Sequence, residues 1–98
     1  MSCRFDRAVG EDDLVVLCIS GKLTGENVDT LRNSLRQEVG TLAIDLKNVS
    51  LVDREAVQFL ALTEYNGTEL RNCPAYVREW VTRERAKMDA ERPDLPQA

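Results

Sequence analysis

Few side chains in this 98-residue chain can do chemistry, and what is missing narrows the field at once. Histidine is absent, so neither a Ser-His-Asp nor a Cys-His relay can be assembled, and no GxxxxGK[ST] or GxGxxG phosphate loop occurs. The three cysteines, Cys3, Cys18 and Cys73, are an odd number without CxxC spacing, which indicates neither a disulfide framework nor a zinc site. Cys18 lies in an apolar run and is expected in the core. Cys73 precedes Pro74 at the expected start of a helix, where the dipole favours a thiolate, the chemistry of a redox sensor. A half-buried structural thiol is the alternative at that position. Glu11, Asp12 and Asp13 fall in a predicted turn, where solvation accounts for them. The remaining cluster is Asp53-Arg54-Glu55, two carboxylates bracketing a predicted helix start. Asp53 is a strong N-cap there, and Glu55 in the first turn is favoured by the dipole by about 0.3 to 1 kcal/mol. Arg54 opposes that dipole and has no evident stabilising purpose. The set suggests no reaction and no cofactor.

The elements that must position these residues follow from hydrophobic periodicity. Residues Cys3 to Val9 predict a first strand, closed by a turn at Gly10-Glu11-Asp12-Asp13. Leu14 to Ile19 is a continuous apolar run of β-formers, which predicts a strand covered on both faces. Ser20-Gly21-Lys22 leaves it, and Thr24 caps a helix, with Leu23 and Val28 at staple spacing. Its apolar positions Val28, Leu31, Leu35 and Val39 recur every three or four residues, and Gly40 supplies the stop. Thr41 to Leu46 predicts a second buried strand, parallel to the first because a helix separates them. After a connection over Lys47 to Val52, the helix capped by Asp53 runs from Arg54 to about Asn66, and Val52 and Val57 repeat the staple. Thr68 to Arg71 predicts a short strand. A third helix opens with Pro74 at its first position, carries Tyr76, Val77, Trp80 and Val81 inward, and continues as a solvated mixed-charge face to Arg92. The order is strand, strand, helix, strand, helix, strand, helix, an α/β sandwich of a four- or five-stranded mixed sheet covered by helices.

Composition sets the outer limits. A chain this short buries only roughly 60 to 65% of its unfolded surface and supports one core, so residues 1–92 are expected to form one domain and residues 93–98 a frayed tail. With 43% hydrophobic and 31% charged residues, the chain should fold. A net charge of −4 argues against nucleic acid or anionic lipid as the partner. No apolar run approaches the ~18 residues that span a bilayer, and the first residues lack the apolar stretch of a signal peptide, so the cytoplasm is the expected compartment.

Four ordered stretches, Ile19 to Leu23, Leu42 to Leu46, Asn48 to Asp53 and Glu69 to Pro74, together resemble the STAS domain, named for sulfate transporters and anti-sigma factor antagonists. Ile19-Ser20-Gly21-Lys22-Leu23 resembles that family's strand-to-helix exit, and Leu42-Ala43-Ile44-Asp45-Leu46 its third strand. Asn48-Val49-Ser50-Leu51-Val52-Asp53 is similar to the approach to its signature loop. Glu69-Leu70-Arg71-Asn72-Cys73-Pro74 is similar to its last strand and turn. In phosphoregulated members the loop reads roughly Asp-Ser-Ser/Thr-Gly-Leu, and a partner serine kinase, itself the anti-sigma factor, phosphorylates the second hydroxyl residue. Here the loop reads Asp53-Arg54-Glu55-Ala56-Val57: the acceptor position holds Glu55, and the usual modification cannot occur there.

The resemblance implies a non-catalytic protein-interaction module in signalling or transcriptional regulation. Its partner-binding surface would comprise Asp53, Arg54, Glu55, Ala56 and Val57, flanked by Lys22, Thr24 and Asn27. The partner is expected to be an anti-sigma factor kinase or a larger signalling assembly. A carboxylate supplies about one negative charge against roughly 1.5 to 2 for a phosphate, so Glu55 would be a partial and permanent mimic. Ser50, in the same stretch, is a weaker candidate for modification than for a strand-end hydroxyl. A thiol sensor built on Cys73 and a homodimerisation module are the rival readings, the latter through an exposed strand edge or the charged third helix.

Overall fold

Two apolar strands joined by an amphipathic helix form the centre of the structure, a computed structural model that describes residues 3–38 and 42–90. Strand β1 (Cys3–Val9) reverses through a single 3-10 turn at Glu11–Asp13 into β2 (Val15–Leu23), and the two pair antiparallel with Phe5 opposite Ile19. Helix α1 (Gly25–Arg36) then returns the chain to β3 (Leu42–Val52), which runs parallel to β2. Helix α2 (Arg54–Tyr65) leads to the short β4 (Glu69–Arg71), parallel to β3, and α3 (Ala75–Ala90) follows. The sheet is four-stranded and mixed, in the order β1-β2-β3-β4. This is the expected α/β architecture and element order.

One hydrophobic core lies between the helices and one sheet face. Leu17 and Ile19 of β2, Ile44 and Leu46 of β3, Leu31 of α1, Val57 and Leu60 of α2, and Val77 and Val81 of α3 belong to a single buried cluster. The expectation that β2 is covered on both faces is therefore corrected. Val15, Leu17 and Ile19 are buried while the alternate residues Val16, Cys18 and Ser20 are only half-buried, so β2 has the period-2 pattern of a strand with one packed face. Cys18 sits on the outer face and is not part of the core cluster.

Other boundaries also differ from the expectation. Lys47 to Val52 is not a connection but the second half of β3, whose pairing with β2 slips between Cys18 and Ser20 and again between Gly21 and Lys22. Gly21 takes the left-handed φ of 91° beside the second slip, a conformation open to glycine at little steric penalty. Pro74 precedes α3 rather than starting it, and its carbonyl accepts the first helical bond from the Arg78 amide at 2.8 Å. The inward side of α3 does not fade after Val81: Glu84 is buried and Met88 packs against the core, continuing the Val77 and Val81 spacing. Tyr76 is not a core residue, being 49% exposed, whereas Trp80 is half-buried against the core. Helix α1 ends at Arg36 with Gln37 as its C-cap, short of the expected stop at Gly40; Val39, Gly40 and the expected tail at residues 93–98 lie outside the described residues.

Candidate functional site

Each parallel strand feeds a helix, so α1, α2 and α3 all begin at the carboxyl ends of β2, β3 and β4. That edge is where open α/β sheets place their binding sites, because backbone N–H groups converge there. Asp53 joins two of these helix starts. Its Oδ1 accepts from the Ala56 amide at 2.9 Å, the N-cap bond expected for α2, while its Oδ2 accepts from the Gly25 amide at 2.9 Å, at the first residue of α1. One half-buried carboxylate thus satisfies orphan donors of two helices, the second of them 28 residues away in the chain.

The start of α1 is closed by its own residues. Asn27 Oδ1 accepts from both the Thr24 amide and the Thr24 hydroxyl at 3.2 Å, and the Asn27 amide donates to the Thr24 carbonyl at 2.8 Å. Because the two helix starts are drawn together, Glu55 comes to lie over Gly25. A Cβ built on Gly25 would overlap the Glu55 carboxylate and stand 3.3 Å from the Glu55 Cβ, so a larger residue there would displace the Glu55 side chain from this position. Glu55 remains exposed, as the second residue of α2.

The expected surface is only partly assembled at this edge. Asp53, Glu55, Lys22, Thr24 and Asn27 do gather near the two helix starts, with Lys22 and Glu55 exposed and the others half-buried. Arg54 is exposed too, but it turns toward α3, where it lines a cleft with Gln58, Glu84 and Lys87. Ala56 and Val57 are 1% and 0% exposed and belong to the core, which removes them from any partner surface. Their apolar side chains face the sheet from the first turn of an amphipathic helix.

Sequence reasoning missed two exposed apolar residues on the same edge. Leu51, next to last in β3, is 46% exposed, and Tyr76 in the first turn of α3 is 49% exposed, with its hydroxyl making a long 3.4 Å contact to the Ser50 carbonyl. The signal available for Leu51 was its polar neighbourhood in Ser50-Leu51-Val52-Asp53, which reads as a strand end with one outward apolar residue. Ser50 itself is exposed within β3.

Two further groups lie away from this edge or beneath it. Cys73 is half-buried, and burial pushes its thiol pKa up, outweighing the favourable charge of Arg78. This direction opposes the thiolate that a redox sensor needs. Glu64 bridges α2 to α3, accepting from Arg78 at 2.8 and 2.7 Å and from Arg85 at 3.1 Å. The Arg78 hydrogen bonds hold the Glu64 carboxyl below the usual range against the opposing effect of burial. Among the described residues no group of His, Cys, Asp and Glu is arranged to hold a metal ion. No helix among them is long and apolar enough to cross a membrane.

Solved structures with the same arrangement identify the architecture. The anti-sigma factor antagonist SpoIIAA in its unphosphorylated form superposes with a TM-score of 0.59 over 78% of this chain and 79% of that one, at 21% identity. An anti-sigma factor antagonist STAS domain from Rhodobacter sphaeroides gives a TM-score of 0.54 over 71% and 84% of the two chains, at 18% identity. The fold is STAS-like. No family model and no curated protein matches the sequence. At these identities the likeness is one of fold, and it makes the chain a STAS-like module whose helix starts share one edge.

Proposed function

We propose that this STAS-like module is a non-catalytic binding protein that engages a protein partner through the edge where α1 and α2 begin, with Glu55 as a charge that cannot be removed. The observation that carries this is the exposed Glu55 carboxylate lying against Gly25, beside two helix starts tied together by Asp53. Anions are favoured at helix N-termini, and here the anion is built into the chain rather than added and removed by a kinase. In the phosphoregulated proteins this chain resembles, the corresponding position carries the hydroxyl that is modified. The module is accordingly fixed in one binding state. Leu51 and Tyr76 supply the apolar contact that a charged rim by itself lacks, since protein interfaces combine a desolvated centre with a polar surround.

The partner class that fits is a serine kinase of the anti-sigma factor type or a signalling assembly containing one, acting in cytoplasmic transcriptional control. The absence of histidine from the whole chain supports a binding role over a catalytic one. The test is calorimetric binding and phosphotransfer with an anti-sigma factor kinase from the same source, using the wild type, Glu55→Ser and Leu51→Asp. Glu55→Ser should change the affinity at least about tenfold and become a phosphate acceptor, and Leu51→Asp should abolish binding. Affinity unmoved by both substitutions would remove this edge from the interface.

A further inference from the structure

The outer edge of β1 is the second unfilled recognition surface, and it lies at the opposite side of the sheet from β4. β1 pairs only with β2 among the described residues, so along Cys3–Val9 one side of its backbone has no strand partner. Edge strands normally discourage self-pairing with charges, and a run of one sign would do so here. The signs on β1 are instead mixed: Arg4, Asp6 and Arg7. Arg7 is committed elsewhere, donating to Glu38 at 2.8 and 3.2 Å. Arg4 and Asp6 share the outer sheet face, opposite Ser20 and Cys18 of β2, with side chains 77% and 51% exposed.

Residues directly opposite in an antiparallel pair point to the same face, so the registers centred on the charged stretch from Arg4 to Arg7, which continue the core face from one copy into another, can be compared. Centring the pair on Arg4 sets arginine against arginine, centring it on Asp6 sets aspartate against aspartate, and centring it on Arg7 sets arginine against arginine. Centring it on Phe5 sets Arg4 against Asp6 of the other copy, twice, and Phe5 against Phe5. Because Arg4 and Asp6 also pair within each strand at 3.1 Å, this register closes a ring of four charges with alternating sign. It also covers Phe5, which is half-buried on the core face at the open edge. Cross-strand opposite charges and aromatic pairs are the contacts that stabilise one register over its neighbours.

We propose that a second copy of this chain pairs antiparallel along β1, centred on Phe5, so that the two sheets become one continuous sheet with Arg4 facing Asp6 across the two-fold axis. This association is independent of the α1 and α2 edge and leaves that edge free in both copies. The charge ring supplies its own control, because the same two positions can be set against each other or restored. Arg4→Asp and Asp6→Arg each place like charges across the junction, while the double exchange Arg4→Asp/Asp6→Arg restores the ring with its signs inverted.

Sedimentation velocity of the full, untagged chain over a concentration series reads the outcome, with circular dichroism confirming the fold of each variant. The wild type and the double exchange should dimerise, and each single reversal should weaken the dimer about tenfold or more. An equimolar mixture of the two single variants should form a heterodimer, since one then presents a pair of aspartates at the junction and the other a pair of arginines. A wild type that stays monomeric at the highest concentration, or a dimer that either reversal leaves unchanged, overturns the proposal.

Discussion

Replacing Asp53 by alanine removes both bonds that join the two helix starts, and the size of the effect can be worked from the structure. Loss of an N-cap carboxylate destabilises a helix by about 1 kcal/mol. The Gly25 amide, half-buried and left without its 2.9 Å acceptor, adds about 1 to 2 kcal/mol, at the lower end of the range for an unsatisfied donor because water can reach it. The sum is about 2 to 3 kcal/mol, a large share of the stability of a domain this size. In a chain of this length it corresponds to a fall in Tm of roughly 8 to 20 °C. Urea titration followed by circular dichroism gives the free energy, and the m-value should stay constant. Asp53→Asn separates the two bonds: its single carbonyl oxygen can still cap the Ala56 amide but presents an amide nitrogen to Gly25, so about half the effect should remain. Amide hydrogen exchange should show Gly25 losing protection in both variants, and Ala56 only in the alanine form. An Asp53→Ala protein within about 0.5 kcal/mol of wild type would refute the view that this carboxylate ties α1 to α2.

Two other expectations concern α3. Glu84 is 6% exposed, and its carboxylate accepts from the Lys87 ammonium at 3.3 Å in a cleft that Arg54 also lines; a buried ion pair of this kind is often matched or exceeded in stability by an apolar side chain of similar volume. Glu84→Met, a similar volume with good helix propensity, should raise stability by about 1 kcal/mol in the same urea assay; destabilisation of that size would show that the charge is needed. Glu64 has its pKa lowered in the folded state by the hydrogen bonds from Arg78, so its contribution is fully present above the ordinary carboxylate range, about pH 4.3, and is lost as pH falls through the lower folded value. Glu64→Gln should therefore flatten the acid limb of the stability profile below about pH 4.5, and an unchanged slope there would count against the bridge.

The architecture was legible because its strongest signals are local and periodic. The Leu14–Ile19 and Leu42–Leu46 runs, the Val28, Leu31, Leu35 stripe and the caps at Thr24 and Asp53 all agree with one another, and the structure follows them. The failures occur where the period breaks or where a partner is distant. The second half of β3 hides behind Lys47, Asn48 and Ser50 because its pairing slips twice, so its buried residues Val49 and Val52 are three apart rather than two. Glu84 hides among the alternating charges of α3, since no composition rule separates one inward carboxylate from its solvated neighbours. Asp53 was read correctly as a cap, but its second bond reaches a residue 28 positions earlier and has no local signature. The Glu55 position at a helix start was visible, whereas its closeness to Gly25 required the packing of α1 against α2.

The length of β3 has one more outcome. β4 meets it only along Ala43 to Asp45, so on that flank β3 runs past the end of its neighbour from Leu46 onward, and the Lys47 amide donates instead to Asp45 Oδ1 at 2.8 Å. The Tyr76 ring stands beside this overhang, with its hydroxyl 3.4 Å from the Ser50 carbonyl. The overhanging end of β3 is thus met by a side chain of the following helix rather than, among the described residues, by a further strand.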